Sequence, residues 1–158
     1  MTLNSQRPSS AVNSEADKIA RQVQAYDWRS LGAELDDHGA AILPGLIPKR
    51  QCASLANLYE QEKHFRSRVV MARHGFGRGE YQYFAYPLPD LVGALREALY
   101  PPLAAIANRW RKALRIENDF PASLEAWLQR CHQVGQIRPT PLLLKFEAGD
   151  YIALHQDV

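Results

Sequence analysis

Apolar side chains recur with a helical period along several parts of the chain. Ser14, a residue type that caps helix N-termini, precedes the first such stripe, and Gly39 follows the second where helices commonly end. A third helix is predicted after Pro48. The predicted buried stripes, in chain order, are Ile19, Val23 and Tyr26; Trp28, Leu31 and Leu35; Cys52, Leu55 and Tyr59; Leu91, Leu95 and Leu99; Leu103, Ile106 and Trp110; and Leu124, Trp127, Leu128 and Cys131.

The junction between the fourth and fifth stripes contains two adjacent prolines. Asp90 stands just before the fourth stripe and is predicted to cap its helix. Pro101 and Pro102 follow that stripe. Because proline removes a hydrogen-bond donor and clashes with the preceding turn, they are predicted to break or kink the helix.

Shorter segments have the pattern of strands. Tyr81 and Tyr83 alternate with polar Gln82, as on a half-buried strand. The glycines at 75, 77 and 79 just before them predict a loop without regular structure. Further strands are predicted at 40–43, at 67–72, at 140–146 with both faces buried, and, after a turn at 147–150, at 151–158.

The order of these elements predicts an α+β fold in which helices come first and a sheet begins near the end of the chain. Residues 1–13 are rich in Ser, Asn, Gln and Pro and have few large apolar groups. Such a segment cannot bury enough surface to offset its ordering entropy, so a mobile tail is predicted there. The rest, 14–158, is predicted to be one folded unit.

Composition narrows the class of protein. The chain has 158 residues, enough for one domain, and no apolar run near the roughly 18 residues of a membrane span. Its start lacks the apolar stretch of a secretory signal. Cys52 and Cys131 are far apart and have no CxxC partner, a pattern that favours reduced thiols and a cytoplasmic location.

The net charge of +2 is mild, but its distribution is uneven. Residues 63–78 and 109–115 carry nine Lys and Arg side chains and no acid: Lys63, Arg66, Arg68, Arg73, Arg78, Arg109, Arg111, Lys112 and Arg115. Such clusters favour phosphate binding, and the alternative is a solvated face.

The end of the chain carries candidate metal ligands. On a strand, residues two apart point the same way, so His155 and Asp157 are predicted to share a face. With a second histidine from elsewhere, they would complete the 2-His-1-carboxylate triad of non-haem Fe(II) oxygenases, which leaves positions open for other ligands.

The context of this His-x-Asp motif resembles a known superfamily. Residues 143–157 are similar to the first metal-ligand strand of 2-oxoglutarate-dependent oxygenases, and the Leu-His-Gln-Asp ending is nearest the AlkB type. Residues 39–46 resemble the entry strand of these enzymes. Residues 75–87 and 138–142 resemble a bacterial branch regarded as oxygenases of damaged DNA.

The resemblance implies N-terminal helices packed on the beginning of a double-stranded β-helix of the jelly-roll or cupin type, incomplete at the C-terminus. It makes His155 and Asp157 the metal ligands of an Fe(II) site that uses 2-oxoglutarate and O₂. The AlkB pattern has an Asn and a Tyr, which contact the cosubstrate, where this chain has Leu144 and Phe146. The third ligand and the cosubstrate-binding Arg normally follow later, so 14–158 is expected to be the N-terminal half of an oxygenase domain that is inactive alone.

The implied reaction is hydroxylation of a substrate C–H bond, which on an N-methyl group of damaged nucleic acid amounts to demethylation. A base in duplex DNA would first be flipped out of the stack. Arg73, Arg78, Tyr81 and Tyr83 are the candidate phosphate and stacking contacts, and the alternative is an ordinary glycine-rich hairpin. Two other functions remain open: a prolyl-hydroxylase-type protein oxygenase, and a non-catalytic remnant that acts as a binding module.

Overall fold

The computed structural model describes residues 14–155, so the predicted tail at 1–13 lies outside the described residues. Five helices and five strands make up this part of the chain. They are α1 (Glu15–Ala25), α2 (Trp28–His38), α3 (Lys49–Asn57), β1 (Phe65–Val70), β2 (Gly77–Arg78), β3 (Glu80–Phe84), α4 (Asp90–Ala113), α5 (Leu124–Gln133), β4 (Leu142–Lys145) and β5 (Tyr151–Ile152). Short 3₁₀ turns occupy Glu62–His64 and Met71–Arg73.

Helix α1 supplies the centre of the helical core. Ser14 and Asp17 form a reciprocal capping box, in which each side chain accepts the other residue's backbone N–H at 3.1 Å. Ile19 and Val23, one helical turn apart, are almost fully buried. They pack with Leu46 against the apolar face of α4, so the predicted first stripe is confirmed as core.

Helix α2 ends as the sequence predicts, with Gly39 in the left-handed conformation at φ 69°. Its last turn is tied to α4 by Asp36. The Asp36 carboxylate accepts hydrogen bonds from the Arg109 guanidinium at 2.6 and 3.0 Å and from the indole N–H of Trp110. These contacts keep the pKa of Asp36 below its ordinary value.

Helix α4 runs unbroken through Pro101 and Pro102, so the predicted break is wrong. Each proline removes one backbone hydrogen bond, at a local cost of about 3 kcal/mol or more. Packing holds both halves of the helix: the turns before the prolines lie against α1, and Ala104 and Ile106 are buried after them. The helix begins at Asp90 after Pro89, so Asp90 lies in the first turn and is not the cap.

Three further predictions about packing are wrong. Residues 40–43 form no strand, and Ile42 is 77% exposed, because this segment turns around Pro44-Gly45 and none of the strands that the structure describes lies beside it. Cys52 is exposed, since α3 lies on the surface and buries none of its residues. Leu103 and Trp110 are also partly exposed, because it is Ala104 and Ile106 that α4 turns inward.

The strands form two antiparallel sheets. One has the order β1-β3-β4, and the other pairs β2 with β5. Since β2 and β3 are separated only by Gly79, they act as one bent strand that pairs first with β5 and then with β4. The glycine segment therefore contains a short strand, where a loop without regular structure was predicted.

The α+β class is confirmed, but the predicted order of elements is wrong. Strands β1 to β3 precede α4, and β4 returns after α5 to pair with β3. The predicted strand at 140–146 is present as β4 without full burial, because Leu144 is 49% exposed on a sheet face that no described element covers. Among residues 14–155, no helix has the length and apolarity required to cross a bilayer.

Candidate functional site

One face of the three-stranded sheet carries two tyrosines, and we call it the tyrosine face. In the antiparallel register, Tyr81 lies directly across from Val69 on β1 and Leu144 on β4. Tyr83 lies likewise between Ser67 and Leu142. The two rings meet edge-on with centroids 5.5 Å apart. Both tyrosines are half-buried, so the phenol groups line an apolar surface that is open to solvent.

A β-bulge adds a charge to this face. The register of β1 against β3 shifts between Phe65 and Ser67, which leaves Arg66 as the extra residue. Because of this shift the guanidinium of Arg66 lies over the ring of Tyr83, 4.4 Å from its centroid. Its Nε donates to the carbonyl of Pro139 at 3.2 Å, which fixes the arginine in place.

The opposite face of the sheet is lined with paired charges. Arg68 is paired with Glu80, and Lys145 with Glu60 at 3.0 Å. Gln82, 7% exposed, donates from its side chain to the carbonyl of Tyr59 at 2.7 Å. These ion pairs border a polar cavity of 290 Å³, which Arg66 also lines from the bulge in β1.

The hydroxyl of Tyr59 is buried beside that cavity. Burial, and then the Glu80 carboxylate, raise the pKa of Tyr59 to about 12. The phenol therefore stays protonated at physiological pH. Tyr59 also packs its ring against Phe65, which stacks on Phe84 at 4.8 Å, so this end of the opposite face belongs to the core.

The candidate residue Arg78 secures the turn that precedes β5. Five residues, 146–150, lie opposite the single residue Gly79 in the bent strand pair. The Nε of Arg78 donates to the Asp150 carboxylate at 3.0 Å. The other oxygen of that carboxylate accepts the backbone N–H of Glu147 at 2.8 Å. The predicted turn is thus confirmed, and Arg78 helps to fix it.

The Asp150 carboxylate makes this turn sensitive to pH. The Glu147 amide, and then Arg78, hold the pKa of Asp150 below its ordinary value. A lowered pKa means that the ionised form stabilises the fold above the ordinary carboxyl range and that this contribution is lost on acidification. We expect Asp150→Ala to lower the melting temperature at pH 7 and to have a clearly smaller effect at about pH 2, where the carboxyl becomes protonated in the folded state as well. Thermal unfolding at both pH values checks this, and an equal loss at both would contradict it.

His155 follows β5, but not as part of a strand. The paired residues of β5 end at Ile152, and the last ladder contact is the Ala153 N–H donating to the Phe76 carbonyl at 2.9 Å. The predicted strand from 151 to 158 is therefore shorter than expected, and 156–158 lie outside the described residues. Whether Asp157 shares a face with His155 stays a prediction.

The ring of His155 has a defined hydrogen bond. Its Nδ1 lies 2.9 Å from the carbonyl oxygen of Ala153. A carbonyl can only accept, so Nδ1 carries the proton in the neutral ring and Nε2 carries the lone pair. A backbone carbonyl bound to one ring nitrogen commonly orients a metal-binding histidine. This one imidazole is thus suited to serve as a metal ligand.

No group of three or more His, Cys, Asp or Glu side chains within residues 14–155 could hold a metal ion. Asp157 lies beyond that range. The structure thus describes one of the two predicted ligands. The other histidines lie apart in the chain: His38 ends α2, His64 ends a 3₁₀ turn, His74 stacks on Phe76, and His132 lies on α5.

The basic segments are largely engaged within the fold. Arg68, Arg78 and Arg109 each pair with a carboxylate. Arg111 donates to the carbonyl of Glu117. Arg73 is exposed in the Met71–Arg73 turn. The charge of these segments is therefore in part structural, whereas Arg73 lies exposed on a surface turn.

Sequence reasoning missed Arg66 as a site residue. Strict alternation along β1 would place Arg66 beside Arg68, on the face opposite the tyrosines. The bulge reverses this, and a bulge in a strand without glycine has no clear sequence signal. The segment 65–67, Phe-Arg-Ser, contains no glycine, so its sequence does not indicate a bulge.

Comparisons with known proteins match about half of the chain. A model of the Oxygenase-NA family, described as "Oxygenase, catalysing oxidative methylation of damaged DNA", matches residues 79–158, about half of the chain. Two Mycobacterium tuberculosis proteins, "Uncharacterized protein MT2286" and "Uncharacterized protein Rv2227", are each 45% identical over 75 residues. The matched stretch is 48% of this chain and 32% of each relative, so the chain spans about a third of their length. No solved structure shows a significant match.

Proposed function

The chain belongs to the Oxygenase-NA family, and from that premise we propose that it carries part of a non-haem Fe(II)- and 2-oxoglutarate-dependent oxygenase of damaged nucleic acid. His155 and Asp157 are the proposed metal ligands. The observation that supports the proposal most is the 2.9 Å contact between His155 Nδ1 and the Ala153 carbonyl oxygen, a hydrogen bond of the kind that orients metal-binding histidines. This segment lies within the region that matches the family.

An imidazole and a carboxylate suit Fe(II) in a site that leaves other positions open. Bound Fe(II) and 2-oxoglutarate would supply the activation of O₂, with release of succinate and CO₂. Hydroxylation of an N-methyl group gives an N-hydroxymethyl group, which breaks down to formaldehyde and the free N–H. The proposed outcome is therefore removal of a methyl group from a damaged base.

The proposed substrate contacts lie on two parts of the same bent strand and on the turn before it. Tyr81 and Tyr83 offer aromatic surface for an extruded base. Arg73, on the exposed turn, would contact phosphate. Arg78 would contribute its charge while it remains bound to Asp150.

We propose that the strands begin a double-stranded β-helix, because β1, β3 and β4 are antiparallel and leave the tyrosine face open for a second sheet. We also propose a cytoplasmic location, based on the free thiols of Cys52 and Cys131.

The test supplies Fe(II), 2-oxoglutarate and O₂ to this chain and, in parallel, to the M. tuberculosis relatives. The substrates are an oligonucleotide with N-methylated bases, its unmethylated copy and a proline-containing peptide. We expect the relatives to form succinate and formaldehyde in equal amounts from the methylated oligonucleotide alone. This chain should form neither, because His155 and Asp157 supply two of the three ligands of a facial triad.

Two results would count against the proposal. Succinate formed with the peptide and not with the oligonucleotide would favour a prolyl-hydroxylase-type enzyme. The absence of both products from the relatives, together with oligonucleotide binding by this chain, would favour a non-catalytic binding module.

A further inference from the structure

We propose that a groove between α4 and α5 binds a single strand of nucleic acid, with phosphates on arginines at both ends of the groove and bases on the aromatic surface between them. The identity of the ligand rests on the proposed function. The groove shares no residue with the tyrosine face or with the segment of His155, and it follows from charges, aromatic rings and open space that neither of those sites uses.

Two neighbouring cavities, of 450 and 470 Å³, share the side chains of Phe120 and Trp127, and we call them together the α4–α5 groove. One face of α4 lines both cavities, with side chains every three or four residues: Arg96, Tyr100, Leu103, Ala107 and Arg111. A helix rises about 1.5 Å per residue, so Arg96 and Arg111 lie about 22 Å apart along its axis. That length suits the roughly 4 nucleotides of the smallest single-strand binding sites.

The two arginines at one end of the groove are held by backbone carbonyls. Arg111, in the last turn of α4, donates to the carbonyl of Glu117. Arg130, in the last turn of α5, donates to the carbonyl of Asp119 at 2.8 Å. Neither guanidinium belongs to an ion pair among residues 14–155. A hydrogen bond to a neutral carbonyl positions each side chain and leaves its positive charge uncompensated, so this end of the groove attracts an anion.

Arg96 supplies a positive charge at the other end. Its guanidinium donates to the Tyr86 hydroxyl at 3.3 Å and likewise forms no ion pair within the described part of the chain. Among the described residues that line the two cavities, Asp119 is the one with a carboxylate. The groove thus carries three positive charges against one negative charge, a balance that suits the successive phosphates of a strand.

Aromatic side chains lie between the charged ends. The rings of Phe120 and Trp127 meet edge-on, with centroids 5.0 Å apart. Arg111 lies over the Phe120 ring, 5.2 Å from its centroid, whereas the half-buried Trp127 borders the open space of both cavities. Bases of any sequence stack on such an indole surface. This surface favours a nucleic-acid strand over an acidic peptide, whose carboxylates would use the arginines and leave the indole without a flat ring to stack on.

The experiment measures binding of a fluorescently labelled, unmethylated oligothymidine to the whole chain by fluorescence anisotropy. Fe(II) and 2-oxoglutarate are left out, so that binding is separated from catalysis. We expect binding that weakens as salt is added, and weaker binding of a duplex of the same length, because its bases are already stacked on one another. Arg111→Gln and Arg130→Gln should each weaken strand binding roughly 10-fold. Each should also reduce the slope of log K against log salt concentration by about 0.7, the value of one phosphate contact on a single strand.

Two further variants separate the charge of the groove from its shape. Asp119→Asn removes the negative charge and keeps the backbone carbonyl that holds Arg130, so it should strengthen strand binding about 2- to 5-fold. Arg130→Lys keeps the positive charge and should retain most of the affinity. The matched control is Arg50→Gln, which removes the same charge from the exposed surface of α3 and should leave the affinity unchanged.

Four results would overturn the groove: no strand binding by the wild type, an equal loss in Arg50→Gln, tighter binding of the duplex, or wild-type affinity in a folded double variant of Arg111→Gln and Arg130→Gln. Displacement of the strand by a polyglutamate peptide of equal charge would also overturn it, since the groove would then bind acidic proteins. The outcome is independent of the oxygenase chemistry. If the arginine variants lose strand binding and the relatives form no succinate, the groove stands and the oxygenase proposal fails. If the relatives demethylate the oligonucleotide and the arginine variants bind it as the wild type does, the groove fails and the oxygenase proposal stands.

Discussion

Replacing Gly77 by alanine is expected to destabilise the protein by about 3 kcal/mol or more and to separate β2 from β5. The backbone of Gly77 has φ 116°, a conformation that residues with a side chain rarely adopt. A Cβ there would overlap the carbonyl oxygen of Tyr151 and lie 2.8 Å from the Ala153 nitrogen. Both obstacles are backbone atoms of the paired segment, so a rotamer change cannot relieve the overlap.

The position of His155 depends on that pairing. Ala153, whose N–H donates to Phe76, also holds the ring of His155 through its carbonyl. We therefore expect Gly77→Ala to weaken metal binding as well as to lower the denaturation midpoint. Chemical denaturation gives the free energy of unfolding, and hydrogen exchange at Ala153 reports the pairing directly.

Gly75→Ala provides the matched control. Gly75 also has a positive φ, 72°, but a Cβ there meets no atom within 4 Å. The substitution carries the backbone strain without the overlap and should cost about 1 kcal/mol. If Gly75→Ala and Gly77→Ala destabilised the protein equally, steric contact with β5 would not be the cause.

Local sequence signals located the helices well. The N-cap at Ser14 and the left-handed Gly39 are encoded within a few residues, and both occur as predicted. The turn at 147–150 is local in the same sense, because the Asp150 side chain binds the Glu147 amide three residues earlier. Where the determinants of an element lie within one turn of the chain, the sequence alone predicts it.

The sequence-based predictions are wrong where contacts between residues far apart in the chain determine the local structure. Residues 40–43 have the composition of a strand, but a strand requires a partner and none of the strands within residues 14–155 lies beside them. Pro101 and Pro102 oppose a helix locally, and packing against α1 and the Asp36 contacts outweigh them. Gly77 permits β2 and β5 to approach closely, and its role can be recognised only once the pairing of these strands is known.

In the candidate site, too, features set by local rules are predicted from the sequence and features set by strand pairing are not. The spacing of Tyr81 and Tyr83 correctly predicts that they share a face, because strand alternation is a local rule. The assignment of Arg66 to that face depends on a bulge in the register between two strands. The arginine and the two phenols therefore come from different strands, and only the folded chain shows that they lie together.

Replacing His155 by alanine is expected to abolish metal binding by the chain. His155 and Asp157 are the two proposed ligands from this chain. Without His155, the Asp157 carboxylate remains, and a single carboxylate binds a divalent cation weakly. The ring also carries the only orientation that the structure shows for this site, through the Ala153 carbonyl. We expect at least a 100-fold loss of affinity, above the roughly 10- to 100-fold typical of removing a group that merely orients a ligand.

Co(II) is the suitable probe, since its visible spectrum reports the ligand set as well as the affinity. Asp157→Asn should weaken Co(II) binding, and His132→Ala, which alters a histidine on α5, should leave the affinity and the spectrum unchanged. Asp157→Asn also distinguishes a shared site from a lone histidine. If Asp157→Asn shows the same Co(II) spectrum as the wild type and His155→Ala shows no Co(II) spectrum, His155 binds the metal without Asp157. Retention of the wild-type affinity by His155→Ala would instead mean that the metal lies elsewhere, and the proposed iron site would have to be abandoned.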